Sequence, residues 1–167
     1  EFGRKVVVEP DLATAMSGQL LHAGGEDLAA AIGGETIAAL ALEEGYDPFG
    51  MPETKAVEDG GLYRLSGRKA VVRHADLAHC FIVTAAVGGK IAAFRVERDA
   101  AGLVLDSFRM IDGASAATLE LSGAPARRIA ETESVLAVIE RGMVALAAEA
   151  VGIITALNAA TFTYLGD

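Results

Sequence analysis

Three acidic residues close together in the sequence are the first candidates for chemistry: Glu43, Glu44 and Asp47. Two carboxyl groups act as general acid and general base only where burial or a neighbouring like charge raises the pKa of one of them. Neither condition is visible around these residues. The sequence therefore favours solvation in a loop, or a salt bridge at the end of a hairpin, over a catalytic pair.

A group of basic residues is the second candidate, because it stands out in an acidic chain. It consists of Arg64, Arg68, Lys69 and Arg73. Alternate residues of a strand share one face, so a strand here would place Lys69, Val71 and Arg73 together, where a cation could bind the phosphates of a cofactor. The alternative is an exposed strand edge on which cations discourage pairing with another sheet. The edge is the favoured interpretation for Arg64 and Arg68, and both stay open for Arg73.

The remaining reactive side chains form no pattern in the sequence. His22, His74 and His79 are scattered, without a companion cysteine or carboxylate at the spacing that zinc ligands need. Cys80 is the single cysteine, which excludes an internal disulfide, and its apolar neighbours indicate a small core residue. We predict no metal site, and we assign no catalytic residue within the chain.

Composition narrows the range of partners. The 167 residues include 14 lysines and arginines against 23 aspartates and glutamates, so the formal net charge is −9. An acidic protein repels phosphates at long range, and we therefore expect no nucleic-acid partner. Apolar residues make up 52% of the chain, and the mean hydropathy is +0.38. That is more apolar surface than a domain of this size usually hides, which predicts packing against another copy or another chain.

The segment from residue 143 to 162 is apolar and long enough to span a bilayer. Its flanks lack basic and aromatic anchors, however, and apolar residues recur every three or four positions, as on one stripe of a helix. We therefore predict a long core helix of a bundle and no membrane span. The N-terminal residues show no apolar signal segment, so we expect a cytoplasmic protein. The predicted stripe comprises Leu136, Ile139, Met143, Leu146, Ala150, Ile153 and Leu157.

Turn signals divide the chain into a helical start, a stranded centre and a helical end. Short helices are predicted from about residue 11 to 32, and Gly24-Gly25 separates them. Short apolar runs bounded by glycines predict strands from residue 35 to about 122. The fold class is therefore α+β: short N-terminal helices, a central antiparallel β-barrel or sandwich domain, and a long C-terminal helix from an incomplete four-helix bundle. We expect three domains or parts of domains, at residues 1–34, 35–128 and 129–167.

Several segments, through their order and spacing, resemble the acyl-CoA dehydrogenase family. The nine residues from Gly61 to Lys69 resemble the G-x-Y-x-L-x-G-x-K hairpin of that family's middle β-domain. Residues 78–85 and 94–96 resemble further strands of the same domain, and residues 147–165 resemble the first helix of the C-terminal domain. The match extends over about residues 20–165, which is nearly the whole chain.

The resemblance implies a flavoenzyme of fatty acid or lipid metabolism. Such an enzyme binds FAD between its middle domain and its C-terminal helices, oxidises an acyl-CoA thioester to the 2,3-enoyl product, and passes the electrons to an electron-transfer acceptor. Family members usually take their catalytic base from the C-terminal domain and assemble as tetramers. The resemblance therefore implies a fragment that lacks the base and belongs to a homo- or hetero-oligomer.

The resemblance also carries cofactor-binding positions onto this sequence. The family's T-E-P segment corresponds to Leu42-Glu43-Glu44, so a threonine hydroxyl is lost, and the serine of a following G-S-D is lost within residues 45–50. The W-x-T/S motif corresponds to Val71-Val72-Arg73, where an aliphatic side chain replaces the aromatic wall and a guanidinium replaces the hydroxyl. Contacts through main-chain amides do not depend on these side chains. The implied FAD-binding residues are Leu40, Ala41, Leu42, Val71 and Arg73.

Two other interpretations stay open. A non-catalytic, dehydrogenase-like partner subunit of a heteromeric complex would explain the lost threonine, serine and tryptophan positions, since an unused flavin site need not keep them. A stand-alone β-barrel binding module is the weaker alternative, because the long alanine-rich helix does not belong to such a module.

Overall fold

The computed structural model describes residues 11–45 and 50–166, so Asp47 and most of the segment compared with G-S-D lie outside the described residues. The described elements follow the predicted order of short helices, strands and one long helix, and the α+β fold class is confirmed. The helices are α1 (Asp11–Ala23), α2 (Ala29–Ile32) and α3 (Thr132–Gly166). The strands are β1 (Ala38–Ala41), β2 (Lys55–Asp59), β3 (Leu62–Arg73), β4 (Cys80–Val87), β5 (Lys90–Glu97), β6 (Leu103–Arg109) and β7 (Ser115–Ala130).

Five of the strands close into a barrel. β4, β2, β3, β7 and β5 pair in that order, and β5 returns to β4, while β6 adds to β7. The pairings are antiparallel as predicted, with two exceptions: β1 and β2 each run parallel to β4. β1 pairs with residues 80–83 of β4, and Lys55 at the start of β2 pairs with Ala86. The chain therefore leaves one edge of β4 after Ala41 and is again paired with the same edge at Lys55.

The inside of the barrel is filled by apolar side chains from alternate positions of the strands. Apolar residues alternate along β5 and β7, as is typical of strands with one buried face. These residues are all buried in the core: Ala92, Phe94 and Val96 of β5, and Ala117, Leu119 and Leu121 of β7. Tyr63 of β3 packs edge-on against Phe94 of β5, with 5.0 Å between the ring centres. The largest fully buried apolar side chains of the core are Leu65, Val72, Phe81, Val83, Phe94, Val96 and Leu119.

A second apolar cluster joins the outside of the barrel to α1 and to the first part of α3. Met16 and Leu20 of α1 and Val135 and Val138 of α3 are buried in it. Gly142 lets the two helices approach, because a Cβ atom there would lie 2.7 Å from the sulfur of Met16. The predicted stripe of α3 is correct only at Ile139 for this contact, because Ile139 packs against the cluster, whereas Leu136 and Met143 are exposed. The buried residues of α3 are Val135, Val138 and Gly142.

The later turns of α3 have little contact with the rest of the described chain. Large apolar side chains there are exposed. α3 is long and apolar enough to cross a membrane by length and composition, and none of its most apolar window is buried within the described residues. The expected apolar surface is thus present on this helix, and its place in a bundle stays a prediction. The exposed residues are Met143, Val144, Leu146, Val151, Ile154, Leu157, Phe162, Tyr164 and Leu165.

Candidate functional site

The loop after β1 is the first part of the candidate site. It begins at Leu42, where the chain leaves the edge of β4, and its first residues are tied to β3 by a 2.8 Å hydrogen bond from the amide of Ala70 to the carbonyl of Glu43. Leu40 and Leu42 are partly buried, whereas Ala41 between them is fully buried in the barrel core. The end of β1 and the start of the loop therefore place two apolar side chains on the outside of the barrel, where they pack against the second apolar cluster.

A bulge in β3 forms the second part. The register of β3 against β7 shifts between Lys69 and Val72, which places both of these side chains inside the barrel and turns Arg73 outward. The prediction that Lys69 and Arg73 share one face is wrong, because the bulge inserts an extra residue and reverses the alternation. Val71 lies in the bulge and is partly buried, next to the residue that bonds Glu43.

Lys69 is the most unusual side chain of the site, since it is 0% exposed. Its ammonium group donates to the carbonyl of Leu42 at 3.2 Å, to a carboxylate oxygen of Glu44 at 2.5 Å, and to the hydroxyl of Thr84 at 3.1 Å. An ammonium has three donors, so the three acceptors satisfy it completely. Burial nevertheless lowers the pKa of Lys69, and the bond and charge of Glu44 act against that shift.

Glu44 closes the loop as well as pairing with Lys69. Its carboxylate accepts bonds from the backbone amides of Glu53 and Thr54, which stand where the loop returns to β2. Burial alone would raise the pKa of Glu44, but the hydrogen bonds from Lys69 and Thr54 and the lysine charge outweigh it and hold the pKa below its usual value. The salt-bridge interpretation of the acidic cluster therefore applies to Glu44, and this carboxylate is poorly suited to act as a base at neutral pH.

Gly67 allows the returning end of the loop to pack against β3. Thr54 is fully buried, and a Cβ atom on Gly67 would lie 2.6 Å from its Cα atom. Gly67 also has a φ of +152°, a conformation that other residues rarely adopt. Thr54 can therefore reach Glu44 with its amide and Ala86 of β4 with its carbonyl, at 2.8 Å for the second bond.

The exposed arginines of β3 are paired on the outside of the barrel. Arg73 lies 2.8 Å from Asp112, whose pKa this bond lowers. Arg64 lies 2.9 Å from Asp59, and Arg68 lies 2.8 Å from Glu120. The strand-edge interpretation of Arg64 is wrong, because β2 and β7 pair with β3 on either side of it. At Arg68 only β7 is paired, since the pairing with β2 ends at Ser66, and the strand-edge interpretation of Arg68 stays a prediction.

His79 and Cys80 occupy structural positions at the start of β4. The Nδ1 atom of His79 accepts a 3.0 Å bond from the amide of Ile37, which joins the start of β4 to the approach of β1. Cys80 is fully buried, and burial raises the pKa of its thiol, as expected of a core residue. Within residues 11–45 and 50–166, no three His, Cys, Asp or Glu side chains cluster as metal ligands would.

A groove of about 550 Å³ runs between α1, α2 and the start of α3. Its walls are mainly apolar, and Arg141 is held at its rim by a 2.8 Å bond to Gln19. Leu28 and Val138 line the groove and also belong to the cluster that contacts Leu40 and Leu42. The groove can accept an apolar group of a ligand.

Comparison with known structures decides what kind of fold carries this site. A structure described as the Tcur3481-Tcur3483 steroid ACAD variant matches 99% of this chain with a TM-score of 0.88 and 28% identity. The ChsE4-ChsE5 complex from Mycobacterium tuberculosis matches 82% with a TM-score of 0.71 and 23% identity. A glutaryl-CoA dehydrogenase from Mycobacterium smegmatis, solved in complex with FADH2, matches 75% with a TM-score of 0.66 and 22% identity. The resemblance predicted from the sequence is confirmed.

The chain has the fold of an acyl-CoA dehydrogenase. It spans about half the length of these relatives or less: 47%, 40% and 37% of their chains, respectively. No protein-family model and no curated protein matches the sequence.

Within the dehydrogenase fold, the site combines predicted and unpredicted residues. Leu42 and Val71 are brought close to each other by the bond between Glu43 and Ala70. Arg73 is directed elsewhere, toward Asp112. The buried pair of Lys69 and Glu44 was missed, although Lys69 continues the inward positions of Leu65 and Gly67 along β3. Lys69 and Arg73 point to opposite sides of the barrel wall because of the bulge after Lys69, and this bulge is not visible in the sequence.

Proposed function

We propose that this chain provides the flavin-side wall of an FAD-dependent acyl-CoA dehydrogenase, which introduces a 2,3 double bond into an acyl-CoA thioester. The observation that carries the proposal is the hydrogen bond that joins the loop after β1 to the bulge of β3. It lies in a chain that shares its fold and 28% of its aligned residues with a steroid acyl-CoA dehydrogenase. The glutaryl-CoA dehydrogenase with the same fold was solved with FADH2.

The residues present fit a flavin ring at this place. Leu40, Leu42 and Val71 are apolar and only partly buried, so they can cover a planar ring without losing a polar contact. The carbonyls of Leu42 and Glu43 are already engaged by β3, which leaves the main chain of the loop in one fixed orientation. Arg73 fits less well as a phosphate ligand, because Asp112 occupies its guanidinium.

The chemistry that FAD supplies when bound is the acceptance of a hydride from the acyl chain. This chain's own residues hold and shield the ring, and the groove between α1 and α3 accepts an apolar part of the substrate. The base that removes the α-proton is proposed to lie outside the chain, because Glu44 is neutralised by Lys69. We also propose the division at residues 34 and 128, a cytoplasmic location, assembly into an oligomer, and transfer of electrons to an acceptor in lipid metabolism.

An absorbance spectrum tests the proposal directly. The longest form of the protein should be yellow as purified, or take up one FAD per chain, and it should reduce a dye acceptor when acyl-CoA is added. Leu42→Asp should abolish flavin binding, because it places a charge against an apolar ring, while Val104→Asp on the exposed face of β6 serves as the matched control. A colourless protein that takes up no FAD would overturn the proposal.

A non-catalytic partner subunit is the second candidate. It is favoured by the loss of hydroxyls at Leu42 and Arg73, by the ion pair of Arg73 with Asp112, and by the likeness to a structure described as the ChsE4-ChsE5 complex. Co-purification with a second dehydrogenase chain that holds all the flavin would support this candidate. A homo-oligomer saturated with FAD would exclude it.

A further inference from the structure

The buried ammonium of Lys69 lies under the same loop that the proposed function assigns to the flavin. Its three acceptors belong to two segments: Leu42 and Glu44 in the loop after β1, and Thr84 in β4. Thr84 lies opposite the place where the chain leaves the edge of β4, between Val83, which pairs with β1, and Ala86, which pairs with β2. Lys69 therefore lies inside the barrel, beside the gap between β1 and β2 along the edge of β4, and its bonds connect the loop to β4.

Bonds to two consecutive carbonyls fix two peptide groups. Lys69 binds the carbonyl of Leu42, and the amide of Ala70 binds the carbonyl of Glu43. In a planar trans peptide, the N–H of one residue points opposite to the C=O of the residue before it. A carbonyl that is held by a hydrogen bond therefore directs the amide of the following residue away from the bonding group. The amides of Glu43 and Glu44 are thus directed away from Lys69 and Ala70. They are donors whose direction the barrel determines.

We infer that Lys69 is a positioning residue that sets the direction of these amide donors for a cofactor. The inference rests on the proposed function, and it adds the residue that holds the loop after β1 in place against the flavin. A loop with Leu42-Glu43-Glu44 in place of T-E-P has lost a hydroxyl donor, so the hydrogen-bond donors of these three residues are main-chain amides. Main-chain donors stabilise the negative charge that a flavin gains on reduction most strongly when their direction is fixed before the ring binds.

A role of Lys69 in stability and a role in positioning the loop can be separated by substitution. Replacing both members of a buried ion pair by neutral groups of similar size is often harmless to stability, whereas removing one member leaves a buried charge without a partner. Lys69→Met combined with Glu44→Gln therefore separates the two roles. It restores neutrality in the barrel but removes the bond to the carbonyl of Leu42.

The experiment compares four forms of the longest available protein: unsubstituted, Lys69→Met, Lys69→Met with Glu44→Gln, and Arg68→Met. Arg68 is the matched control, because it neighbours Lys69 on β3 and pairs with Glu120 on the outside. Three quantities are measured: thermal unfolding, the Kd and midpoint potential of added FAD, and hydrogen–deuterium exchange of residues 42–45 in the FAD-free protein.

We expect the double variant to unfold at a temperature near that of the unsubstituted protein. It should still bind FAD roughly tenfold more weakly, as the loss of a hydrogen bond to a charged group predicts. Its flavin potential should be more negative, because fixed donors favour the reduced and more negatively charged ring. Its residues 42–45 should exchange faster, and Arg68→Met should match the unsubstituted protein in every measurement.

The outcomes distinguish this inference from the proposed function. A double variant with the unsubstituted protein's Kd, potential and exchange would overturn the positioning role and leave the flavin site standing. Failure of the unsubstituted protein to bind FAD would overturn the proposed function and, with it, the role of Lys69 toward the flavin.

Discussion

The barrel and the long helix α3 differ in how much of their apolar surface is buried within the described residues. In the barrel each strand has a partner, apolar side chains fill the interior, and the buried cation Lys69 finds three acceptors in neighbouring segments. In α3, Val135, Val138 and Gly142 pack against the barrel and α1, whereas the large apolar side chains from Met143 onward are exposed.

The difference follows from how strands and helices satisfy their backbone hydrogen bonds and bury their apolar side chains. A closed sheet satisfies its backbone and its core through the same pairings, so it is complete once the ring closes. A helix satisfies its own backbone, but its apolar side still needs a surface to cover it. Stability of this chain should therefore be sensitive to changes in the barrel and at the first part of α3, and insensitive further along. Four predictions test that contrast.

The largest effect is expected for Lys69→Met. Glu44 would be left 12% exposed and without its cation, and removal of one member of a buried pair costs about 3–5 kcal/mol of unfolding free energy. Arg68→Met removes a pair whose members are about half exposed, and it should cost less than about 1 kcal/mol. Urea unfolding of both variants measures the difference. Equal losses would show that the ion pair in the barrel is no more important than one on its surface.

The second prediction compares two leucines of the helical layer. Leu20 of α1 is 1% exposed in the cluster with α3, so Leu20→Ala should cost about 2–5 kcal/mol. Leu146 of α3 is 53% exposed, and Leu146→Ala should change the stability of this chain by no more than about 0.5 kcal/mol. Chemical denaturation of the two variants decides. A large loss for Leu146→Ala would mean that the later part of α3 is covered, by a second copy for example.

These two leucines also show how far the sequence could predict the fold. Leu146 belongs to the apolar stripe that spacing predicts for α3, and that stripe is real as a pattern. Spacing tells which side chains share a face, but not which neighbour is present to cover them, so the buried residues turned out to be Val135 and Val138. The strands were predicted more reliably, because alternation and glycine turns mark both the faces and the ends of each strand.

The candidate site was predictable only in part, for a local reason. Leu42 and Val71 were placed by resemblance, and a single backbone bond between their neighbours brings them together. Lys69 and Arg73 were assigned to one face by strict alternation, which a bulge in β3 breaks. A bulge depends on pairing with β7, about fifty residues away in sequence, so no short segment of β3 reveals it.

Gly67→Ala provides the third prediction, on the fit between β3 and the loop. The added methyl would meet the backbone of Thr54 at 2.6 Å, and the residue would also adopt an unfavourable φ, so we expect a loss of about 2–3 kcal/mol. Gly88→Ala in the turn between β4 and β5 is the control, since its φ is also positive but its Cβ would meet open space. It should cost only about 1 kcal/mol. If thermal unfolding finds the two alike, Thr54 has room to move and the loop is less tightly closed than the barrel below it.

The smallest effect is expected in the pH dependence of stability. The pKa of Glu44 lies below its usual value in the folded protein, so the folded state binds fewer protons at this group than the unfolded state does. Its contribution is therefore complete above the unfolded pKa, near pH 4.5, and is lost as the pH falls through the lower folded pKa. Lys69→Met combined with Glu44→Gln leaves no unpaired buried charge, so this double variant should flatten the decline of stability below about pH 5 while leaving the rest of the curve parallel. Glu43→Gln is the control, because Glu43 is exposed. If both variants flatten the decline at low pH equally, the decline does not depend on the pairing of Glu44 with Lys69.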